Sequence, residues 1–355
     1  MNFKQLPKLK PGDKVAILSP SFAAPGMWPH VFELGLKRLR EVFELEPVLF
    51  PATSKLGASK EERSADLIAA FENPDIKAII TSIGGDDQVT YIKNLPKEPF
   101  ANNPKPFFGF SDNTHLVNHF WQCGVPSYYG GALFTQLAMQ VEMDELTVKY
   151  LRLALFGESR DESKMVKLEA SDKFNDEGLD WNDPATLTVR RKYEPSEGWI
   201  WDTVENGANT QASGISWGGC LESIDEMLRH GIKLPSISDF ENTVLLLETS
   251  EEMPDADYVM RVLRALGERG ILAAVKGLLV GRPQAWNFDR PLATDEKHAF
   301  KAAQRETILK QFRKYNQQAP AVQNLDIGHT NPQICLPMGR QISIDTEAKT
   351  ISAEF

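Results

Sequence analysis

Four short segments of the chain carry groups that could do chemistry, three of them at the end of an apolar, strand-like run and one in a loop. In Phe107-Phe108-Gly109-Phe110-Ser111-Asp112-Asn113 an apolar stretch that reads as a buried strand stops at a serine and turns at once into helix-forming sequence. A serine so placed sits at the C-terminal edge of a sheet, where open α/β sheets bind ligands. The free N–H groups and positive dipole end of the next helix favour negative charge beside it. The layout resembles a nucleophile elbow without meeting Gly-x-Ser-x-Gly, because position 113 is Asn. Read alone, Ser111 or Asp112 serves equally well as a helix cap. In Ser82-Ile83-Gly84-Gly85-Asp86-Asp87 a glycine pair lets backbone N–H groups approach a ligand, as an oxyanion hole requires, or simply makes a tight turn. In Val244-Leu245-Leu246-Leu247-Glu248 a carboxylate ends a strand too apolar to be exposed, so it needs a partner, whether catalytic, a helix cap or an arginine. Asp326-Ile327-Gly328-His329-Thr330 offers a loop histidine, the commonest general base, although solvation alone also accounts for a lone loop histidine.

A competing arrangement is His115 and His119, four apart on a predicted helix and able to share a face toward a metal. The HExxH glutamate is missing and no third ligand stands nearby in sequence, so no metal is expected.

These residues need a scaffold that brings strand ends together. Pro11-Gly12-Asp13 is a turn signal, and Val15 to Leu18 reads as the first strand. Apolar positions from Val31 to Phe43 recur at helical spacing. Strand-like runs at 47–50, 78–83 and 106–110 alternate with predicted helices over 60–71, 87–93 and 113–121. Such alternation predicts a parallel sheet covered on both faces. From about residue 159 to 213 charges, prolines, glycines and Trp181, Trp199 and Trp201 are scattered, with only short strand-like pieces such as Leu187 to Val189; a linker and mobile loop is expected there. Strong signals then return, with strands at 214–217, 243–247 and 275–280 and helices over 221–230, 255–269 and 294–315. Short strands follow near 321–325, 341–344 and 350–353. The fold class predicted is α/β with two domains.

Composition narrows the function. The chain has 355 residues, 42% hydrophobic and 25% charged, which suits a sizeable core of about two domains. Thirty-nine Lys plus Arg against 49 Asp plus Glu give a net charge of −10, so there is no cationic field for phosphate backbones, and nucleic acid is not expected as a partner. Cys123, Cys220 and Cys335 are odd in number and widely spaced, which fits a reducing compartment. Without a signal-peptide run or a long apolar stretch, the expectation is a cytoplasmic protein with no membrane partner.

Serine, glutamate and histidine arriving in the order Ser111, Glu248, His329 are more specific together than singly. The set resembles the LD-carboxypeptidase family of serine peptidases, whose relatives include the microcin C immunity peptidases. The resemblance is carried by Lys10-Pro11-Gly12-Asp13-Lys14-Val15-Ala16, the stretch from Phe71 to Gly85, the Gly-Phe-Ser-Asp turn, Gly218-Gly219, the Leu-Leu-Glu segment, and Gly328-His329 with Leu336-Pro337-Met338-Gly339. It implies a nucleophile at Ser111, a general base at His329, an orienting carboxylate at Glu248 and oxyanion donors at Gly85 and Asp112. It also implies an N-terminal α/β domain over 1–158, a connection over 159–213 and a C-terminal α/β domain over 214–355, with the site at their interface, no cofactor, and a homodimer.

The implied substrate is a small-molecule or peptide conjugate. An aminoacyl or peptidyl adenylate calls for aromatic stacking, which Trp199 and Trp201 could offer beside Gly84 and Gly219. A murein tetrapeptide calls instead for a cation near its terminal carboxylate. The long tryptophan-bearing insertion leans the reading toward the immunity branch. Where many relatives have Gly-Gly-Asn-Leu, this chain has Gly218-Gly219-Cys220-Leu221, which removes a substrate-holding asparagine and leaves Cys220 as a small packed residue. A catalytically silent binding protein is the reading from another class, and the presence of all three triad positions argues against it.

Overall fold

The apolar runs that precede Ser111 and Glu248 are strands in the computed structural model, which describes residues 2–157, 165–202 and 209–355. The first half supplies Lys14–Leu18 (β1), Glu46–Leu49 (β2), Ile76–Thr81 (β3), Phe107–Gly109 (β4) and Ser127–Tyr129 (β5). These pair in parallel in the order β5-β4-β3-β1-β2, with Ile80 opposite Phe108 and Phe108 opposite Tyr128. Their interiors are almost wholly buried because helices cover both faces, which is why the strands read as continuous apolar runs rather than alternating ones. Pro29–Phe43 buries Val31, Phe32, Leu36, Leu39 and Phe43. Lys60–Glu72 begins with a capping box in which Ser59 and Glu62 satisfy each other's backbone N–H groups.

The second half builds a mixed sheet. Its strands are Met165–Lys167 (β6), Ile200–Asp202 (β9), Gln211–Cys220 (β10), Thr243–Glu248 (β11), Gly277–Gly281 (β12), Ala321–Leu325 (β13), Gln341–Asp345 (β15) and Thr350–Glu354 (β16), in the order β6-β16-β15-β10-β11-β12-β13-β9. The central β10-β11-β12-β13 run is parallel and its edges are antiparallel. Lys173–Phe174 (β7) and Glu194–Pro195 (β8) form a separate pair. Leu336–Met338 (β14) leaves the second half altogether and pairs antiparallel with β5, so residues close after His329 are stitched into the first sheet.

The segment expected to be a linker and mobile loop is more structured than its composition suggested. It contributes both edges of the second sheet, β6 and β9, each held by backbone pairing that needs no apolar side-chain pattern. Of the strand expected over Leu187 to Val189, Leu187 and Thr188 instead belong to a 3-10 turn, Pro184–Thr188, and Val189 follows it; Asp183 caps the turn by accepting from Ala185 N at 2.9 Å and Pro184 suits a first-turn position. The expected boundary at 158–159 lies outside the described residues. No helix among the described residues is long and apolar enough to cross a membrane.

Candidate active site

β4 ends at Gly109, and Ser111 opens a 3-10 turn, Ser111–Asn113, that runs into the helix Thr114–Gln122. Ser111 has φ +63°, in the left-handed region that side-chain-bearing residues rarely adopt, so the turn holds strain at the serine. Gly84 explains itself by proximity: a Cβ there would come within 2.9 Å of Ser111 Cβ and 3.0 Å of its Oγ. Gly85 has φ +143°, and a Cβ on it would meet Ser21 Oγ at 2.3 Å. Asp112, 3% exposed, ties the glycine turn to the serine turn, because its Oδ2 accepts from Asp87 N at 3.2 Å and Gln88 N at 3.1 Å.

Glu248 closes β11 and is 1% exposed. Its two oxygens have separate partners: Oε2 lies 2.7 Å from His329 Nδ1, and Oε1 accepts from Tyr129 Oη at 2.5 Å. Tyr129 Oη in turn accepts from Ser111 N at 3.2 Å. A continuous polar chain therefore links the backbone of Ser111 through Tyr129 and Glu248 to His329, across the two sheets. Gly328 permits the last contact, since a Cβ there would fall 2.4 Å from Glu248 Oε2.

The His329 ring packs edge-on against Phe110 at 4.9 Å between centroids. Its Nε2 lies 3.0 Å from Glu251 Oε2 and makes no hydrogen bond to Ser111. Burial alone would lower the imidazole pKa, but the Glu248 and Glu251 carboxylates outweigh it and raise His329 well above its ordinary 6.5.

Ser111 and His329 line one cavity of about 820 Å³, together with Gly84, Gly85 and Glu251. Its aromatic wall is Phe22, Trp28, Trp181 and Phe288. Trp28 and Trp181 pack edge to face at 5.2 Å, and Trp28 Nε1 donates to Asn182 Oδ1 at 2.9 Å. Among the described residues, then, the tryptophans at the cavity are not the expected pair. Trp201 is paired in β9 with Val322, and Trp199 Nε1 donates to buried Asp326 at 2.9 Å, so backbone pairing and this hydrogen bond fix both rings away from the cavity lining. Gly219 also lies off the cavity; a Cβ on it would meet Thr114 Oγ1 at 2.5 Å and Tyr129 Cε2 at 2.9 Å, so it makes room for the packing behind Ser111. Cys220 is buried beside Glu222, and burial followed by that carboxylate pushes its thiol well above 9.0.

His115 and His119 do not converge. His119 Nε2 lies 3.2 Å from Pro96 O against the edge of Phe100, and burial pulls it down to about 4. His115 faces Asp112 and Glu226 at 3.5 and 3.1 Å, and these three could present ligand atoms to a small cation, all lying within 4.8 Å of one another. Both carboxylates meet the same ring nitrogen, Nε2, while Nδ1 is buried without a hydrogen-bond partner among the described residues.

Sequence reasoning missed Tyr129, Glu251, Trp28 and the role of Trp181. For Tyr129 a signal was there: Tyr128-Tyr129-Gly130-Gly131 is another strand ending in paired glycines, like the one at Gly84-Gly85. Glu251 lies beyond the strand end that drew notice, in a turn whose direction only the fold sets.

The chain matches the LD-carboxypeptidase N-terminal domain over residues 15–130 and the LD-carboxypeptidase C-terminal domain over residues 213–344. It is 24% identical over 298 residues to the microcin C7 self-immunity protein MccF of Escherichia coli, covering 82% of this chain and 78% of that one. It is 24% identical over 358 residues to a Bacillus subtilis protein named "Probable murein peptide carboxypeptidase", covering 100% and 95% of the two chains. Among solved structures it resembles an MccF-like protein from Streptococcus pneumoniae in complex with AMP, with TM-score 0.81, 27% identity and coverage of 97% and 99%.

Proposed function

The chain belongs to the LD-carboxypeptidase family of serine peptidases, and on that premise we propose that Ser111, His329 and Glu248 form its catalytic triad. The observation that carries the proposal is the 2.7 Å contact between His329 Nδ1 and buried Glu248, with His329 and Ser111 facing the same cavity. Glu248 fixes the ring so that Nδ1 keeps its proton and Nε2 is the nitrogen that exchanges one. As substrate enters, Glu251 leaves Nε2, the proton that the two carboxylates held on the ring passes from Nε2 to solvent, and the neutral imidazole takes the Ser111 hydroxyl proton while Oγ attacks an amide carbonyl. The backbone N–H groups of Gly85 and Asp112 receive the oxyanion, an interaction worth on the order of 10²–10³ in turnover for a single donor. The imidazolium then protonates the departing amine, leaving an acyl-enzyme. Water attacks that ester as His329 accepts its proton, releasing the acid and returning the proton to Ser111.

For the substrate we propose an aminoacyl or peptidyl adenylate conjugate. The Trp28 and Trp181 wall offers the aromatic surface a nucleobase needs, and the S. pneumoniae structure resembling this chain holds AMP. A murein tetrapeptide is the second reading, favoured by the presence of Arg191 on the same cavity wall. The test is mass spectrometry of products from wild type and Ser111→Ala given an aspartyl sulfamoyl adenylate conjugate and a murein tetrapeptide in parallel. Ser111-dependent cleavage of the conjugate alone supports the first reading; loss of terminal alanine from the tetrapeptide alone replaces it with the second.

A further inference from the structure

The cavity that holds Ser111 and His329 is walled by carboxylates, among them Asp86, Asp176, Glu177, Glu251 and Glu252. Asp176 and Glu177 are neutralised from behind by Lys297 at 3.0 and 2.6 Å, and Asp176 also by Lys301 at 2.7 Å. Among the described residues, Arg191 is the one Lys or Arg side chain on the lining, and it makes no ion pair with any of those acids.

The surroundings of Arg191 leave its charge available. Its Nε donates to Gln140 Oε1 at 2.9 Å. An arginine N–H can only donate, so the atom it meets must be the amide oxygen, which settles which way the Gln140 amide points. The amide nitrogen of Gln140 is then buried with no acceptor among the described residues. Asp144, a carboxylate whose charge bears on Arg191, accepts the Tyr193 hydroxyl at 2.7 Å. Burial pulls the Arg191 pKa down from its ordinary 12.5, with Tyr193 and Asp144 opposing. Gln140 lies on a neighbouring cavity that Arg191 also lines, so at this cavity the receptor is the guanidinium itself: largely buried, with its Nε held and no partner for its terminal fork among the described residues, it suits a planar or tetrahedral anion.

We propose that Arg191 is a specificity-determining residue that receives the anionic group of the substrate, either the terminal carboxylate of a peptide or the phosphoryl group of a nucleotide. The proposal deepens the serine-peptidase reading by naming what its cavity selects, but its test does not depend on turnover. Binding is measured by calorimetry on Ser111→Ala protein with four probes: a murein tetrapeptide, its C-terminal amide, AMP and adenosine. The tetrapeptide binding about tenfold or more tightly than its amide, or AMP than adenosine, with the preference abolished by Arg191→Gln, supports the proposal and identifies which anion is read. Arg191→Lys keeps the charge but not the fork and should restore part of the preference. Equal binding of both members of each pair, a preference that survives Arg191→Gln in a variant with wild-type circular dichroism, or no binding of any probe overturns it. Absence of Ser111-dependent cleavage alongside an Arg191-dependent anion preference would instead count against the catalytic reading alone.

Discussion

Glu251 Oε2 stands 3.0 Å from Nε2 of His329, the ring nitrogen that would take the serine proton in the proposed mechanism. Together with Glu248 it holds the imidazole charged to higher pH than usual, while a general base must be neutral to act. Glu251→Gln should therefore lower the His329 pKa and move the acid limb of the kcat/KM profile to lower pH. A pH–rate profile that stays in place, or moves to higher pH, contradicts this role. The sign for stability is the opposite: the charged pair contributes fully below the ordinary imidazole value of 6.5, and its contribution is lost as pH rises through the raised folded-state pKa.

Tyr129 joins the Ser111 backbone to Glu248. Tyr129→Phe removes the donor to a carboxylate oxygen that is buried, which should destabilise the fold by about 1–3 kcal/mol and reduce kcat about tenfold with KM little changed. Chemical denaturation and steady-state kinetics on the same protein read both. A loss confined to KM would assign the residue to binding instead.

Gly84→Ala tests how closely the glycine turn must approach the nucleophile. The added carbon would sit 2.9 Å from Ser111 Cβ, so the serine must shift, and misplacement of that order costs about 10²-fold in kcat. An alanine variant with wild-type kcat would show that the serine turn tolerates displacement.

The two tryptophan pairs give opposite expectations. If Trp28 and Trp181 stack a nucleobase, replacing either with alanine should weaken AMP binding by about 1–3 kcal/mol, whereas replacing Trp201 should leave it unchanged. Calorimetric titration of each variant with AMP decides between them, and uniform losses across all would remove the stacking assignment.

Much of this site was legible because strand ends announce themselves. Val244–Leu247 read as a buried strand whose terminal carboxylate needed a partner, and Phe107–Phe110 placed Ser111 at a strand end in the same way, although a helix cap fitted each of those positions as well. What lay beyond reach was everything fixed by packing between distant segments. Trp199 and Trp201 attract notice in sequence, yet β9 pairing commits them elsewhere, while Trp28 sits in a loop before Pro29 with no pattern of its own. The crossing of β14 to β5 is likewise invisible in Leu336-Pro337-Met338, because three apolar residues fit either sheet.

The most direct test of the triad is labelling with a serine-reactive fluorophosphonate followed by peptide mapping by mass spectrometry. One adduct on the peptide containing Ser111, absent from Ser111→Ala and formed far more slowly in His329→Gln, is the predicted result. An unlabelled wild type, or an adduct that persists in Ser111→Ala, would contradict the assignment of Ser111 as a nucleophile activated by His329.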